Sequence, residues 1–389
     1  MAFLKNKTGI TLHYHWIYQN HSKNIVFINS LGTNFTIWNE VVAQIKGTFN
    51  VLLFDKRGHG LSSTIPGRLT IDDYADDVIF LMDHLEIEET YVLGLSIGGM
   101  ITYSLASRYP DRFTKLVFSN TGAKLGTLEA WQERVQGIES DGIASMSTAI
   151  IERWLSPGYR QNNPAKTEGC TNMLERNTVL GYTQACLAIA YADFNPVLDK
   201  IEQPAMFIGG SADLGTTPEL VQENADNLKA ERIEIIQGVG HLPCIEKPEK
   251  VAELIREFCR EDLPLYERGM KIRRSVLGDA HVDRAEAGKT NFDQDFQEYI
   301  VNSAWGSIWS RPHLTKRERS LITIALLAVL GHEEELAMHI RATPNTGASE
   351  EDIKEVLLHA GIYAGVPVTN GAMKIAKKVF NQLKKKNNE

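Results

Sequence analysis

Cysteine is scarce in this 389-residue sequence: Cys170, Cys186, Cys244 and Cys259, with none after position 259 and no Cys-x-x-Cys pair. A disulfide framework is therefore not expected. Long hydrophobic runs are missing too. The longest apolar block, Leu321 to Leu330, is about half of the ~20 residues that span a bilayer. The opening Met1-Ala2-Phe3-Leu4-Lys5-Asn6-Lys7 lacks the basic-then-apolar build of a secretion signal, so a cytoplasmic protein is expected. Positive charge is in deficit. Lys and Arg number 41 against 49 Asp and Glu, a formal charge of −8, which argues against nucleic acid or an anionic membrane as the partner. What is present is apolar substance, at 43% hydrophobic residues, in a chain long enough for two domains.

The first two-thirds read as strands alternating with helices. Ile10 to Trp16, Lys23 to Asn29, Phe49 to Phe54, Leu116 to Ser119, Ala205 to Gly209 and Arg232 to Ile236 are strand-like, bounded by turn residues. Ile71 to Leu85 has helical spacing, and Val251 to Cys259 makes a closing helix. This alternation implies a mostly parallel sheet covered on both faces. Residues from about 122 to 196 interrupt it with aromatic-rich helical pattern. Such an insertion is a lid or cap, or else an ordinary extra helical layer.

Within this frame Tyr91-Val92-Leu93-Gly94-Leu95-Ser96-Ile97-Gly98-Gly99 carries the strongest chemistry. An apolar strand runs into a helix through Gly94-x-Ser96-x-Gly98, the spacing of a nucleophile elbow. A serine in so sharp a turn takes a strained backbone and needs small neighbours. Its hydroxyl then sits beside free N–H groups at a helix N-terminus. A serine nucleophile needs a base, itself oriented by a carboxylate. Asp213 follows one strand-like run and His241 the last, which is the order nucleophile, acid, base expected of this arrangement. Alone, Asp213 would read as a loop residue and His241 as a surface histidine. Two N–H donors must also meet the oxyanion. Ile97, after the nucleophile, supplies one, and Leu31 in Ser30-Leu31-Gly32 is assigned the other by position. His59, between Gly58 and Gly60, reads as part of a tight structural turn rather than a second base.

Phe27-Ile28-Asn29-Ser30-Leu31-Gly32-Thr33, Asp55-Lys56-Arg57-Gly58-His59-Gly60-Leu61-Ser62, Gly94-Leu95-Ser96-Ile97-Gly98-Gly99 and Gly240-His241 together resemble an α/β-hydrolase. The Asn-Ser-Leu-Gly loop most resembles the 3-oxoadipate enol-lactonases. That resemblance, over roughly the first 260 residues, implies a Ser96–Asp213–His241 triad and a cap closing over a small anionic lactone. Trp131 and Arg134 match a Trp-x-x-Arg pattern of that family. A guanidinium there could pair with a substrate carboxylate. Arg153, next to Trp154, is the rival, and a cap-surface salt bridge is the bland alternative for either.

A boundary falls at Glu261 to Tyr266, and beyond it the strands stop. Phe292 to Ile308, Arg317 to Leu330, Glu333 to Ala342, Glu350 to Tyr363 and Ala372 to Leu383 all have helical periodicity. Ser349 with Asp352 resembles a capping box. Gly269-Met270-Lys271-Ile272-Arg273-Arg274-Ser275-Val276-Leu277-Gly278-Asp279-Ala280-His281-Val282, Ala304-Trp305-Gly306-Ser307-Ile308-Trp309 and Arg317-Glu318-Arg319-Ser320 closely resemble 4-carboxymuconolactone decarboxylase. The resemblance implies an all-α domain of the alkylhydroperoxidase-D-like fold that assembles into homo-oligomers. Thiol peroxidases of the wider superfamily carry cysteines where this chain has His332 and Glu335, ahead of His339. Without cysteine, proton chemistry remains. Glu335 and His339, four apart, share a helix face and could deliver a proton. A solvated Glu335, a capping His339, or a metal held by His332, Glu335 and His339 are the alternatives. Arg317 could bind substrate carboxylates or a neighbouring subunit. Ala364 and Gly371 stand where the family pattern has cysteine and histidine, a departure that bears on turnover.

The expected architecture is an α/β-hydrolase domain over 1–262 with its cap at about 122–196, a linker at 263–268, and a decarboxylase-like helical domain over 269–389. The expected function is decarboxylation of 4-carboxymuconolactone followed by hydrolysis of the enol-lactone to 3-oxoadipate, on anionic lactones, with no metal or cofactor. A hydrolase of other ester specificity, whose helical half only drives oligomerisation, is the alternative.

Overall fold

The computed structural model describes residues 2–7, 9–259, 265–311 and 313–386. They divide into two compact units, 1–259 and 260–389. Among the described residues no helix is long and apolar enough to cross a membrane.

The first unit is built on an eight-stranded sheet. Its strands are β1 (Ala2–Lys5), β2 (Thr11–Ile17), β3 (Asn24–Ile28), β4 (Asn50–Phe54), β5 (Thr90–Leu95), β6 (Phe113–Ser119), β7 (Ala205–Gly210) and β8 (Arg232–Ile236). The spatial order is β1-β2-β4-β3-β5-β6-β7-β8. From β4 to β8 every pairing is parallel, and β3, β5 and β7 are near-continuous buried apolar runs, as two-sided coverage demands. The other edge differs from the expected parallel pattern. β1 pairs antiparallel with β2, Phe3 opposite His13, and β2 antiparallel with β4. β1 is too short for its period-2 alternation to have stood out.

Two loops that follow strands owe their shape to buried charge. Beyond β4, Arg57 donates to both oxygens of Asp77 at 2.6 and 2.7 Å, tying the loop to the helix Ile71–His84. Asp55 accepts from His13 Nδ1 at 2.7 Å and from the N–H groups of Phe35 and Leu61. The interrupting segment forms five α-helices, Leu128–Asp141, Ser147–Trp154, Pro157–Asn162, Pro164–Glu175 and Val179–Ala190. They rest on the loops at the carboxyl ends of the strands. Gly58 and Gly181 meet there so closely that a Cβ on Gly181 would lie 2.3 Å from Gly58 O.

The second unit is all-helical. Of the expected linker, residues 263 and 264 lie outside the described residues, while Leu265 to Arg268 begin the helix Leu265–Leu277. That helix packs against the segment Val301–Trp309 through glycine: a Cβ on Gly269 would meet Val301 O at 2.2 Å, and one on Gly306 would meet Leu265 O at 2.5 Å. Where one helix was expected over Phe292 to Ile308, there are two segments, an α-helix Gln294–Ile300 and a π-helix Val301–Trp309. Ile324, Leu336, Ile340, Ile353, Leu357 and Val379 form the core of the unit. The Ser349 capping box is present, with Asp352 as its return partner.

Removing one half of the Arg57–Asp77 pair strands a buried guanidinium. Asp77→Ala is expected to lower the stability of the hydrolase unit by roughly 3–5 kcal/mol, read as a drop in urea midpoint. The double change Arg57→Met, Asp77→Leu should recover most of it. An unshifted midpoint in Asp77→Ala would contradict the buried-pair assignment.

Candidate active site

Ser96 sits at φ 59°, ψ −119°, between β5 and the helix Ile97–Arg108. This is a region that non-glycine residues enter only when their surroundings compel it. The surroundings are explicit. A Cβ on Gly94 would lie 2.1 Å from Gly98 O, and one on Gly98 would lie 2.3 Å from Ile28 O. Strand, turn and helix therefore close around the serine only with hydrogen at both positions. Ser96 N–H donates to Ser119 O at 2.9 Å, and Thr121 Oγ1 donates to Ser96 O at 2.7 Å. The elbow is thus pinned to the end of β6.

His241 and Asp213 are brought together from the loops after β8 and β7, with Nδ1 2.7 Å from Oδ2. The same Oδ2 accepts from Asn120 Nδ2 at 2.8 Å and from Thr216 Oγ1, and Oδ1 accepts the N–H groups of Gly215 and Thr216 at 2.8 and 3.0 Å. Burial pushes this carboxyl up. The His241 imidazole and the hydrogen bonds from His241, Thr216 and Asn120 outweigh it and hold the group well below the usual carboxylate range. Asn120 carries no motif signal and is absent from the sequence reading. It adjoins the elbow's anchor Ser119, so it joins the serine turn to the acid. Ser96 Oγ and His241 Nε2 share no hydrogen bond among the described residues, a contact that often tightens only with substrate present.

Leu31 follows β3, and Ile97 opens the helix after the serine. Neither N–H meets an acceptor among the described residues, which is the condition for an oxyanion donor. The cap touches this site directly. Trp154 O accepts from the N–H groups of His241 and Leu242 at 2.9 and 3.1 Å, and Asn177 Nδ2 donates to Gly32 O at 2.8 Å. Arg134 bonds Tyr182 OH and lies over the rings of Trp131 and Tyr182 at 5.4 and 5.5 Å. Its Nε is buried without a partner. Arg153 is exposed, and its neighbour Trp154 is buried. His59 is buried, with Nδ1 3.3 Å from Arg57 O. Burial, with the Lys56 charge adding, keeps its pKa well below the ordinary value.

In the helical unit His339 is buried and its Nδ1 has no partner. Its ring lies nearly parallel to Trp305 and Trp309, centroids 6.4 and 6.1 Å away, and the two indoles are 5.0 Å apart. The π-helix brings both indoles to one side. Burial, then the charge of His281, lowers the His339 pKa to about 4, with Glu335 opposing. Of the carboxyl–imidazole pair expected in a dry pocket, only His339 is covered. Glu333, Glu334 and Glu335 make up the acidic first turn of the helix Glu333–Arg341, and Glu335 is exposed there, where carboxylates are favoured by the helix dipole. Arg317 is likewise occupied: its Nε donates to Asp352 Oδ2 at 3.1 Å and its Nη2 to Oδ1 at 2.5 Å. Among the described residues of this unit the buried cation is Arg273, which donates to Gln297 at 3.2 Å and lies 3.6 Å from Glu286, its Nε unpartnered. Burial, followed by the charge of Arg273, lowers the pKa of His281. Among the described residues no three His, Cys, Asp or Glu side chains gather as a metal site.

A family model described as alpha/beta hydrolase fold matches residues 23–248, and the carboxymuconolactone decarboxylase family model matches residues 294–378. 3-Oxoadipate enol-lactonase 2 of Acinetobacter baylyi is 33% identical over 240 residues, covering 62% of this chain and 90% of the relative. 4-Carboxymuconolactone decarboxylase of the same organism is 48% identical over 118 residues, covering 30% of this chain and 88% of the relative. The crystal structure of the enol-lactonase from Burkholderia xenovorans LB400 superposes with a TM-score of 0.63 at 30% identity, over 67% of this chain and all of that one.

The depressed His339 pKa has a thermodynamic consequence. Between about pH 4 and its ordinary value of about 6.5, the unfolded chain binds a proton that the folded chain refuses. Stability from this group is therefore full above about pH 6.5 and is lost as pH falls toward 4. The His339 Cε1–H resonance should titrate near pH 4, and His339→Gln should flatten the acid limb of stability. A midpoint near 6.5 would contradict a dry imidazole.

Proposed function

The chain belongs to the α/β-hydrolase fold family through residues 23–248 and to the carboxymuconolactone decarboxylase family through its helical unit, and from that we propose a bifunctional enzyme of the β-ketoadipate pathway. The helical unit decarboxylates 4-carboxymuconolactone to 3-oxoadipate enol-lactone. The α/β unit hydrolyses the enol-lactone to 3-oxoadipate. One observation carries this reading: a single chain spans 90% of an enol-lactonase and 88% of a decarboxylase whose names describe successive reactions.

In the decarboxylation the bond to the leaving carboxylate breaks, and its electron pair passes into the conjugated lactone. A proton delivered to ring carbon completes the step. The imidazole of His339, buried beside the adjacent rings of Trp305 and Trp309, is suited to relaying that proton, taking it up from solvent and passing it to the ring carbon. Arg273 is the buried cation whose charge reaches His281, and it is suited to holding a substrate carboxylate. Glu335, one helical turn from His339, acts on it only through its charge.

In the hydrolysis Ser96 Oγ attacks the lactone carbonyl carbon while His241 accepts its proton. The N–H groups of Leu31 and Ile97 stabilise the oxyanion. Cleavage of the ring C–O bond releases an enol, which takes the proton from His241 and tautomerises to the ketone. Water, activated by His241, then cleaves the acyl-enzyme and frees Ser96. The Asp213–His241 bond supports this assignment, because it presents Nε2 as the base. Arg134, braced by Trp131 and Tyr182, is suited to the acetate carboxylate of the substrate.

The helical unit also leaves large apolar side chains exposed. Leu326 and Leu330 of the helix Lys316–Leu330, with Ile362, Tyr363 and Val366, are 56 to 82% exposed, a pattern that supports self-association through this unit. The four cysteines, all buried and unpaired, fit a reducing cytoplasmic setting.

Ser96→Ala should accumulate enol-lactone while CO₂ release continues at the parent rate, and undiminished 3-oxoadipate formation would refute the nucleophile. His339→Gln should lower CO₂ release by about 100-fold or more and leave ester hydrolysis intact; unchanged release would remove His339 from the reaction. Light scattering should give a multiple of the 43.5 kDa chain mass, reduced by Ile362→Glu. A parent mass equal to one chain would end the oligomer proposal.

A further inference from the structure

Lys56 takes no part in the proton relay, yet its ammonium is bonded to the loop that supplies an oxyanion donor. The side chain is fully buried, and Nζ donates to Asn29 O and Ser30 O, each at 2.9 Å. The Ser30 carbonyl and the Leu31 N–H belong to one peptide unit. That unit is planar and trans, so its C=O and N–H point in opposite directions. Whatever grips the carbonyl therefore aims the N–H. Thr33 adds bonds to the same oxygen from N at 3.3 Å and from Oγ1 at 2.9 Å, and Gly32 at φ 75° lets the chain turn immediately after Leu31. A cation on the carbonyl also polarises the amide and makes its N–H a stronger donor.

We propose that Lys56 is a positioning residue of the hydrolytic reaction, which aims and strengthens the Leu31 N–H toward the oxyanion by holding the Ser30 carbonyl from behind. The inference rests on the reading of Ser96 as nucleophile and of Leu31 and Ile97 as oxyanion donors.

The neighbouring charges leave Lys56 to this task. Asp55 is committed to His13 and to the N–H groups of Phe35 and Leu61. Arg57 is spent on Asp77, and His59 is buried and kept neutral. Among the described residues no carboxylate forms an ion pair with Lys56. Burial lowers its pKa to about 7, with Asp55 opposing. The polarising ammonium is therefore the form present on the acid side and is lost as pH rises. Hydrolysis should weaken toward alkaline pH for a reason that lies outside the triad.

The test is hydrolysis of 4-nitrophenyl acetate by the full-length chain, comparing the parent with Lys56→Met, Lys56→Arg and Ser96→Ala. Removing an oxyanion donor costs ~100- to 1,000-fold; a donor left in place but unaimed should cost about 10- to 100-fold. Lys56→Met is expected to lose that much kcat with KM changed less than about 3-fold, and to lose the parent's decline in kcat between about pH 6 and 9. Lys56→Arg, charged throughout that range, should retain more activity and also lose the decline. Parent-like kcat in Lys56→Met, or a reduced kcat that keeps the parent's pH decline, overturns the proposal. Should Lys56→Met fail to fold, the parent decides alone, since a flat alkaline profile overturns it equally. Ser96→Ala separates the two claims. Hydrolysis surviving there refutes the nucleophile, whereas its loss beside an unaffected Lys56→Met refutes only the role of Lys56.

Discussion

The hydrolytic half depends on one turn that cannot close around ordinary side chains. Ser96 is held at positive φ because the strand before it and the helix after it come within atomic contact at Gly94 and Gly98. A methyl group at either place would overlap a backbone carbonyl, so the strain at the serine is sustained by close packing rather than by a bond to its side chain. The hydroxyl remains free, and the adjacent helix N-terminus offers the Ile97 N–H. Parallel order then does the rest. With β5, β6, β7 and β8 side by side, the loops carrying Ser96, Asn120, Asp213 and His241 emerge at one edge, where ligands bind in sheets of this kind.

Around that turn lies a set of buried charges, each with a defined partner. Asp213 has five donors, Arg57 has Asp77, Asp55 has His13 and two backbone N–H groups, and Lys56 has two carbonyls. Burial is costly for a charge and tolerable only with such partners. The result is a site whose donors and acceptors are fixed before substrate arrives, the condition for electrostatic stabilisation without reorganisation. The cap shares in this order, because Trp154 O holds the backbone of His241 from above.

Much of this was legible in the sequence because it depends on local rules. Gly-x-Ser-x-Gly, the order of acid and base, the strand–helix alternation and the helical cap all leave periodic or spaced traces. Other features arise from packing between distant segments and leave none. Asn120 and Lys56 act through contacts to residues 93 and 27 positions away, or thereabouts. In the helical unit the 3.6-residue period could not distinguish an α-helix from the π-helix that aligns Trp305 with Trp309. Glu335 and His339 share a helix face as their spacing demands, yet only His339 is covered, because the first turn of that helix is left to solvent. Arg317 looked available until its fork was found on Asp352, a capping residue 35 positions on.

Two sites on one chain keep their concentrations equal, so the product of the first always meets an equal number of second sites. The chemistry of each half is distinct: a dry, neutral imidazole in the helical unit, and a carboxylate-oriented imidazole and a strained serine in the other. The account's central claim is that both act in succession on one substrate. A progress curve followed by mass spectrometry, with the full-length chain given 4-carboxymuconolactone alone, tests it most directly. The account predicts one CO₂ for each 3-oxoadipate formed, with enol-lactone seen only in passing. No CO₂ release, or enol-lactone persisting as the end product, would contradict it.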